Sequence, residues 1–459
     1  MSRKFFQVVF VILLLLMAVI TPLVITGYSE LRMAGTAGSY LEVAEHYKTA
    51  AQRLPWRADL YELSGHAYYH AAEYALAEEV YQKAFERNAL SPEGWVAWGD
   101  VRYLNGDPVG AAEIWEQGLE RDNFSTNLYS RLAQIHQEQA EYSRAVQYLR
   151  SYLSDHVDDA SAHYRLGILL TLSEPDAALS ELITASQLDP QFDPAVQTLR
   201  TALNLASINT APSARFILIG RGLGLVEEWF PARAAFESAV EADEENAEAW
   251  AWLGEANQQT GLEGSAELDQ AFQLDPDSST VRGLRGLYFQ RTGNHRAALL
   301  EFQTAATLEP DNPARYVSVG DAYVHVGDLI RALEAFQYAT VLSPDDATYW
   351  RALAIFCGQN TVNLRDIGIP AAQRAVVISD EAVNLDVLGW MLLLDMRYEE
   401  AGRILTAALE KDSQDASIYL HLGMLYLQTE DRTRAFDHLI RARDLGSIEA
   451  AALLSQYFP

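Results

Sequence analysis

The sequence predicts an all-α chain, a right-handed α-solenoid of about eleven helix hairpins in two arrays, preceded by one N-terminal transmembrane helix. Three observations carry this. A small residue recurs at a step of 34: Gly65, Gly99, Ala133, Gly167, and again at Gly286, Gly320, Ala354. A second small residue follows it twelve positions on, at Ala77, Ala111, Ala145, Ala298, Ala332, Ala401 and Ala435. The 459 residues are 49% hydrophobic and 21% charged, enough for a packed core, and strand-like alternation is nearly absent. A fixed period of this size decides the architecture before any single motif does.

The first element is "RKFFQVVFVILLLLMAVITPLVIT" (Arg3–Thr26). Phe5–Ile25 is 21 residues without a charge, broken only by Gln7, Thr21 and Pro22. A helix rising about 1.5 Å per residue spans roughly 30 Å over that length, the thickness of a bilayer core. A cleaved signal peptide would carry an apolar region of about 7–15 residues with a small-x-small site close behind. Here the first candidate lies after Ala37, beyond Glu30 and Arg32, so residues 1–30 are expected to be an uncleaved anchor. No cysteine follows the apolar run, which removes a lipoprotein. Arg3 and Lys4 put the N-terminus on the cytoplasmic side and the repeats outside it; repeats facing the cytosol are the alternative. Leu31–Ser39, rich in Gly, Ala and Ser, is expected to be a short tether.

The first array occupies 31–206. It opens on "SYLEVAEHYKTAAQRLP" (Ser39–Pro55), a second helix without its first. Four units follow, starting at Ala58, Pro92, Thr126 and Ala160. Between Gly167 and Gly220 the step is 53 residues, and the surplus "DPAVQTLRTALNLASINTAPS" (Asp193–Ser213) begins with a capping Asp193 and a first-turn Pro194. It is expected to close one array at a joint. The second array, 207–459, has units starting at Ser213, Ala247, Ser279, Pro313, Ala347, Ala382 and Ala416, with a closing helix at Ile448–Phe458. Two antiparallel helices cannot bury their apolar stripes alone, so stacked units supply the core and the ends need caps. The small residues let helices cross closely, large ones such as Tyr68, Trp95, Phe336 and Leu405 fill the space, and Pro190, Pro276, Pro310 and Pro344 stop the second helices.

With these eleven in-register units the chain closely resembles the tetratricopeptide repeat (TPR) family from Tyr40 to Pro459. The resemblance implies a scaffold whose first helices line a concave groove that takes extended peptides or partner helices. The side chains facing it would be the second, fifth, ninth and twelfth of each unit. In the early units these are polar, among them Asp59, Glu62, His66, Tyr69, Asp100, Tyr103 and Gln134. In the last units they turn apolar: Ile355, Trp390, Leu393, Leu420, Met424 and Leu427 are the candidate partner-binding residues. The lysine, asparagine and arginine clamp of chaperone-adaptor members is missing, so that activity does not carry over.

Catalytic patterns are lacking: no Gly-x-Ser-x-Gly elbow, Walker loop or HExxH helix occurs, so no enzyme, cofactor or metal is expected. "GRGLGL" (Gly220–Leu225) follows no strand, and its first glycine is the repeat's own. His66 and His70, with Glu62 and Glu73, could ligate a metal but fit a solvated face better. The lone Cys357 rules out an internal disulfide. The net charge of −29 is shared: 38–206 holds 25 acids and 12 bases, 213–459 holds 37 and 19. Neither half offers a basic patch for a phosphate backbone, so nucleic acid is not an expected partner. The reading is a membrane-tethered, non-enzymatic scaffold that binds other proteins and assembles envelope or membrane complexes. A carbohydrate- or envelope-polymer-binding protein and an accessory subunit of a membrane enzyme complex are the alternatives.

Overall fold

Helix after helix begins behind a side chain that satisfies its free N–H groups. Ser91, Asp159, Asn246, Ser278, Asn312, Asp346 and Asp415 each accept a bond from a backbone N–H two or three residues on, at the start of a unit's first helix. Such caps are worth about 1 kcal/mol each. The computed structural model describes the backbone of residues 3–121 and 126–458, and the side chains of these except at 3–9, 11–16, 19, 126 and 127. Among the described residues there are 26 α-helices and no strand, stacked as an all-helical repeat solenoid.

The helices pair through the small residues of the repeat. A Cβ on Gly286 would lie 2.6 Å from Phe302, and one on Gly99 would lie 2.0 Å from the Trp115 indole nitrogen. The ring of the second helix therefore sits in the space that the missing side chain leaves. Gly320 with Phe336, Gly389 with Leu405 and Gly423 with Leu439 repeat the arrangement. The tryptophans at unit starts lock the preceding loop as well: Trp250 and Trp350 donate from Nε1 to the carbonyls of Glu244 and Pro344, at 2.8 and 2.9 Å.

Two compact units make up the chain. The first is Met1–Leu205 with Leu225–Pro231, and the second is Ala206–Gly224 with Ala232–Pro459. In the first, Tyr61, Tyr68, Tyr81, Trp95 and Trp98 form the centre of a core that begins at the N-terminal helix. In the second, one core runs from Ala332 to Leu425 and holds Cys357, whose thiol burial pushes up to about 11.

The N-terminal segment departs from expectation. A helix runs from Arg3 to Ala34, and its last turns pack on the helix Tyr40–Arg53. Val24 and Leu31 join the first unit's core, and a Cβ on Gly27 would meet Leu54 at 2.6 Å. Glu30 ties the two helices together, with His46 Nδ1 at 2.7 Å and Arg53 Nη1 at 2.8 Å. The stretch expected to be a tether is thus partly the first helix of a hairpin, and only Gly35–Ser39 links it onward. The expected span, Phe5–Ile25, falls largely on residues whose side chains lie outside those described. Among the described residues, no helix is long and apolar enough to cross a membrane, and the expected single-pass topology is withdrawn.

Candidate protein-binding groove

The six apolar residues expected to form a groove come from the first helices of three successive hairpins. Ile355 lies on Ala347–Gln359, Trp390 and Leu393 on Ala382–Leu394, and Leu420, Met424 and Leu427 on Ala416–Gln428; the closing helix is Ile448–Tyr457. Their exposure divides them. Leu393 is 5% exposed and belongs to the core that runs from Ala332 to Leu425. Leu420 is 6% exposed and packs with Leu439, Ala442, Ala450 and Leu454, because in the last hairpin this position meets the closing helix. For Leu420 the groove assignment is corrected: it is core. Ile355, Trp390, Met424 and Leu427 are half-buried.

What remains open is a cleft of about 380 Å³. Leu393, Met424 and Leu427 form one wall, and Leu453 and Tyr457 of the closing helix form the other. Met396 stands beside it, 74% exposed, in a left-handed turn position (φ 61°) that Gly261, Gly293 and Gly327 occupy in earlier hairpins. A side chain in that conformation costs of order 1 kcal/mol.

Trp390 does not sit in that cleft. It stacks on His421, with ring centroids 5.4 Å apart and planes 10° from parallel. His421 Nδ1 is 2.8 Å from Asp386 Oδ1, and Ser417 Oγ donates to Asp386 Oδ2 at 3.0 Å. Asp386 is 3% exposed, so these partners are what make its burial tolerable. Next to it, Asn384 is fully buried; it accepts from Arg351 Nη1 and donates to the Ser379 carbonyl, both at 2.8 Å. Apolar patterning alone does not find this polar ladder across three first helices. The signal was present, since Asn384 and Asp386 are the two polar residues in "AVNLDVLGWMLLL".

The polar face of the first unit is occupied by its own pairs. Asp100 takes both Nε and Nη2 of Arg131, at 2.5 and 2.8 Å, and Tyr103 donates to Glu138, which also accepts from Gln134. Glu62 accepts from the backbone N–H and the hydroxyl of Ser91, both at 2.6 Å. Burial alone would raise its pKa, but the bonds from His66 and Ser91 outweigh it and hold the carboxyl below its usual range. His66 Nδ1 meets the Tyr81 hydroxyl at 2.9 Å, and His70 packs on Tyr40. The imidazoles considered as metal ligands therefore have partners within the fold.

A family model for the tetratricopeptide repeat matches residues 63–126, 130–192, 232–279 and 284–347, more than half of the chain. The chain belongs to the tetratricopeptide repeat family. Among curated proteins it is similar to superkiller complex protein 3 of Homo sapiens, 23% identical over 246 residues, or 51% of this chain and 14% of that protein. It is also similar to the BBSome complex member BBS4 homolog of Drosophila melanogaster, 23% identical over 34% of each chain. The chain thus spans about one seventh of the length of the first of these relatives. Among solved structures, yeast Tom70 is 14% identical, with a TM-score of 0.44 over 88% of this chain and 95% of that one. YrrB, described as a TPR protein with an unusual peptide-binding site, is 18% identical, with a TM-score of 0.31 over 41% and 97%.

Proposed function

We propose that this chain is a non-enzymatic scaffold that holds a peptide or helical segment of a partner protein at the C-terminal end of its second unit. The observation that supports it is the cleft of Leu393, Met424 and Leu427 against Leu453 and Tyr457, an apolar recess in a chain of net charge −29. Apolar surface that a chain leaves accessible while folding the rest away is the usual mark of a protein-binding surface. Membership of a family of helical repeats agrees with this use. The carbohydrate reading draws no such support, because Tyr103 and the carboxylates Asp100 and Glu138 are spent on partners within the fold.

The groove is narrower than the six residues implied. Met424 and Leu427 are its reachable members, and Trp390 with His421 and Asp386 braces the helices behind them. A photo-crosslinking residue at Gln428, on the cleft's edge, tests the reading. It should yield one reproducible protein adduct in cells that Leu427→Asp abolishes, while the same residue at Glu120 yields none. Adducts that survive Leu427→Asp would remove the cleft as the binding site.

A further inference from the structure

A second recess lies outside the groove. It is a hollow of about 650 Å³ between the helix Tyr398–Lys411 and the next first helix, Ala416–Gln428. Tyr398 is the one residue it shares with the cleft. On Ala416–Gln428 the cleft uses Met424, Leu427 and Gln428, whereas the hollow uses Leu425 and Tyr426, turned to another face of the helix.

The repeat explains why the hollow exists. Position 21 of a hairpin, just after the second small residue of the repeat, carries Leu299, Leu333 and Phe436 in three other hairpins of this half of the chain, and Arg233 and Glu267 in two more. Leu299 and Leu333 are half-buried and pack on the cores beside them. In the hairpin starting at Ala382, the residue is Gly402. Nothing in the packing requires it: a Cβ there would meet only Leu425 Cδ2, at 3.3 Å. A glycine inside a helix costs about 1 kcal/mol against alanine. Gly402 therefore leaves empty a place that two other hairpins fill with a half-buried leucine, and the hollow lies over it.

The rim has a sign. Glu399 and Glu410 are both exposed and line the hollow, and among the described residues neither has an ion-pair or hydrogen-bond partner. Arg403 also lines the hollow between them and is exposed, so the rim holds two carboxylates and one cation and keeps a net negative charge. Eleven positions lie from the first free carboxylate to the second, about 16 Å along a helix.

We propose that this hollow docks a partner helix that presents one phenylalanine- or leucine-sized side chain between two basic residues. The apolar knob fills the place of the missing position-21 side chain, and the two cations meet Glu399 and Glu410. Complementary charges of this kind govern register and choice of partner more than raw affinity. The site shares no argument with the groove, so either can fail alone.

The test uses the full chain and two labelled helical peptides. One carries a central Phe with Lys on either side at eleven-residue separation, and the other has Glu in place of both Lys. Fluorescence anisotropy should show the Lys peptide binding at least about tenfold tighter than the Glu peptide. Gly402→Leu, which places there the residue that the hairpins starting at Ser279 and Pro313 carry, should melt at or above the wild-type temperature and lose the binding. Glu399→Gln with Glu410→Gln should fold normally and bring the two peptides to within about twofold of each other. Leu427→Asp, in the groove, should leave the Lys peptide bound. Equal binding of both peptides to wild type, or wild-type affinity in folded Gly402→Leu, overturns the proposal. Should Gly402→Leu fail to fold, the double glutamine variant decides alone.

Discussion

Replacing one hydrogen by a methyl group has opposite consequences at two glycines of the second unit. Gly286→Ala would push a Cβ to 2.6 Å from the Phe302 ring, a rigid group 3% exposed with no room to retreat. Overpacking of this kind costs about 1–3 kcal/mol. Gly402→Ala meets only the end of Leu425 and gains helix propensity, so it should raise stability by up to ~1 kcal/mol. Thermal unfolding of the two variants compares them directly, and equal shifts would contradict the reading of both sites. The first glycine was legible because its spacing recurs. The second was not, since what marks it is a departure seen only when the facing helix is in place. Trp390 shows a similar limit. Its register aims it at a groove, but three-dimensional packing gives it His421 to stack on. Trp390→Ala should accordingly cost about 2 kcal/mol of stability rather than act on binding alone. An unchanged melting temperature would return Trp390 to the groove.

At the scale of elements, the last hairpin carries a pH dependence. Burial lowers the pKa of His438, with Arg434 adding to the effect and Asp437 opposing it; the ring stacks on Tyr426 at 5.3 Å. Folding favours the neutral imidazole, so its stabilisation is fully present above the unfolded value near 6.5 and is lost as the pH falls through the lower folded value. The melting temperature should therefore fall between about pH 7 and 5, less steeply in His438→Phe. A parallel pH profile in wild type and variant would exclude the histidine as the cause. The N-terminal hairpin offers the other test at this scale. Glu30 joins His46 and Arg53, and Glu30→Ala should free the helix Arg3–Ala34 from its neighbour. Proteolysis at Gly35–Gly38 should speed up while the rest of the first unit stays intact. This pairing was hidden in the sequence because the apolar run reads as one uniform stretch. The docking of its last turns is set by Gly27, Glu30 and Leu31, which look unremarkable in isolation.

Over the whole molecule, the period of 34 residues makes the repeat architecture and its crossing points readable from the sequence itself. The groove was readable only in outline, since a helix position names a face but not what a closing helix will cover. We propose that residues 31–206 and 207–459 are independent arrays, as the 53-residue step between Gly167 and Gly220 implied, with Leu225–Pro231 grouping with the first compact unit. Residues 207–459 should then melt cooperatively as a helical fragment, and aggregation of that fragment would argue for one continuous array. The central claim is that a partner is held at the C-terminal end of the second unit. Hydrogen exchange with the crosslinked partner, purified and added back to the full chain, tests it most directly. Protection should concentrate on the first helices Ala382–Leu394 and Ala416–Gln428 and on the closing helix Ile448–Tyr457. Protection confined to the first unit, with these three helices exchanging as in the free chain, would contradict it.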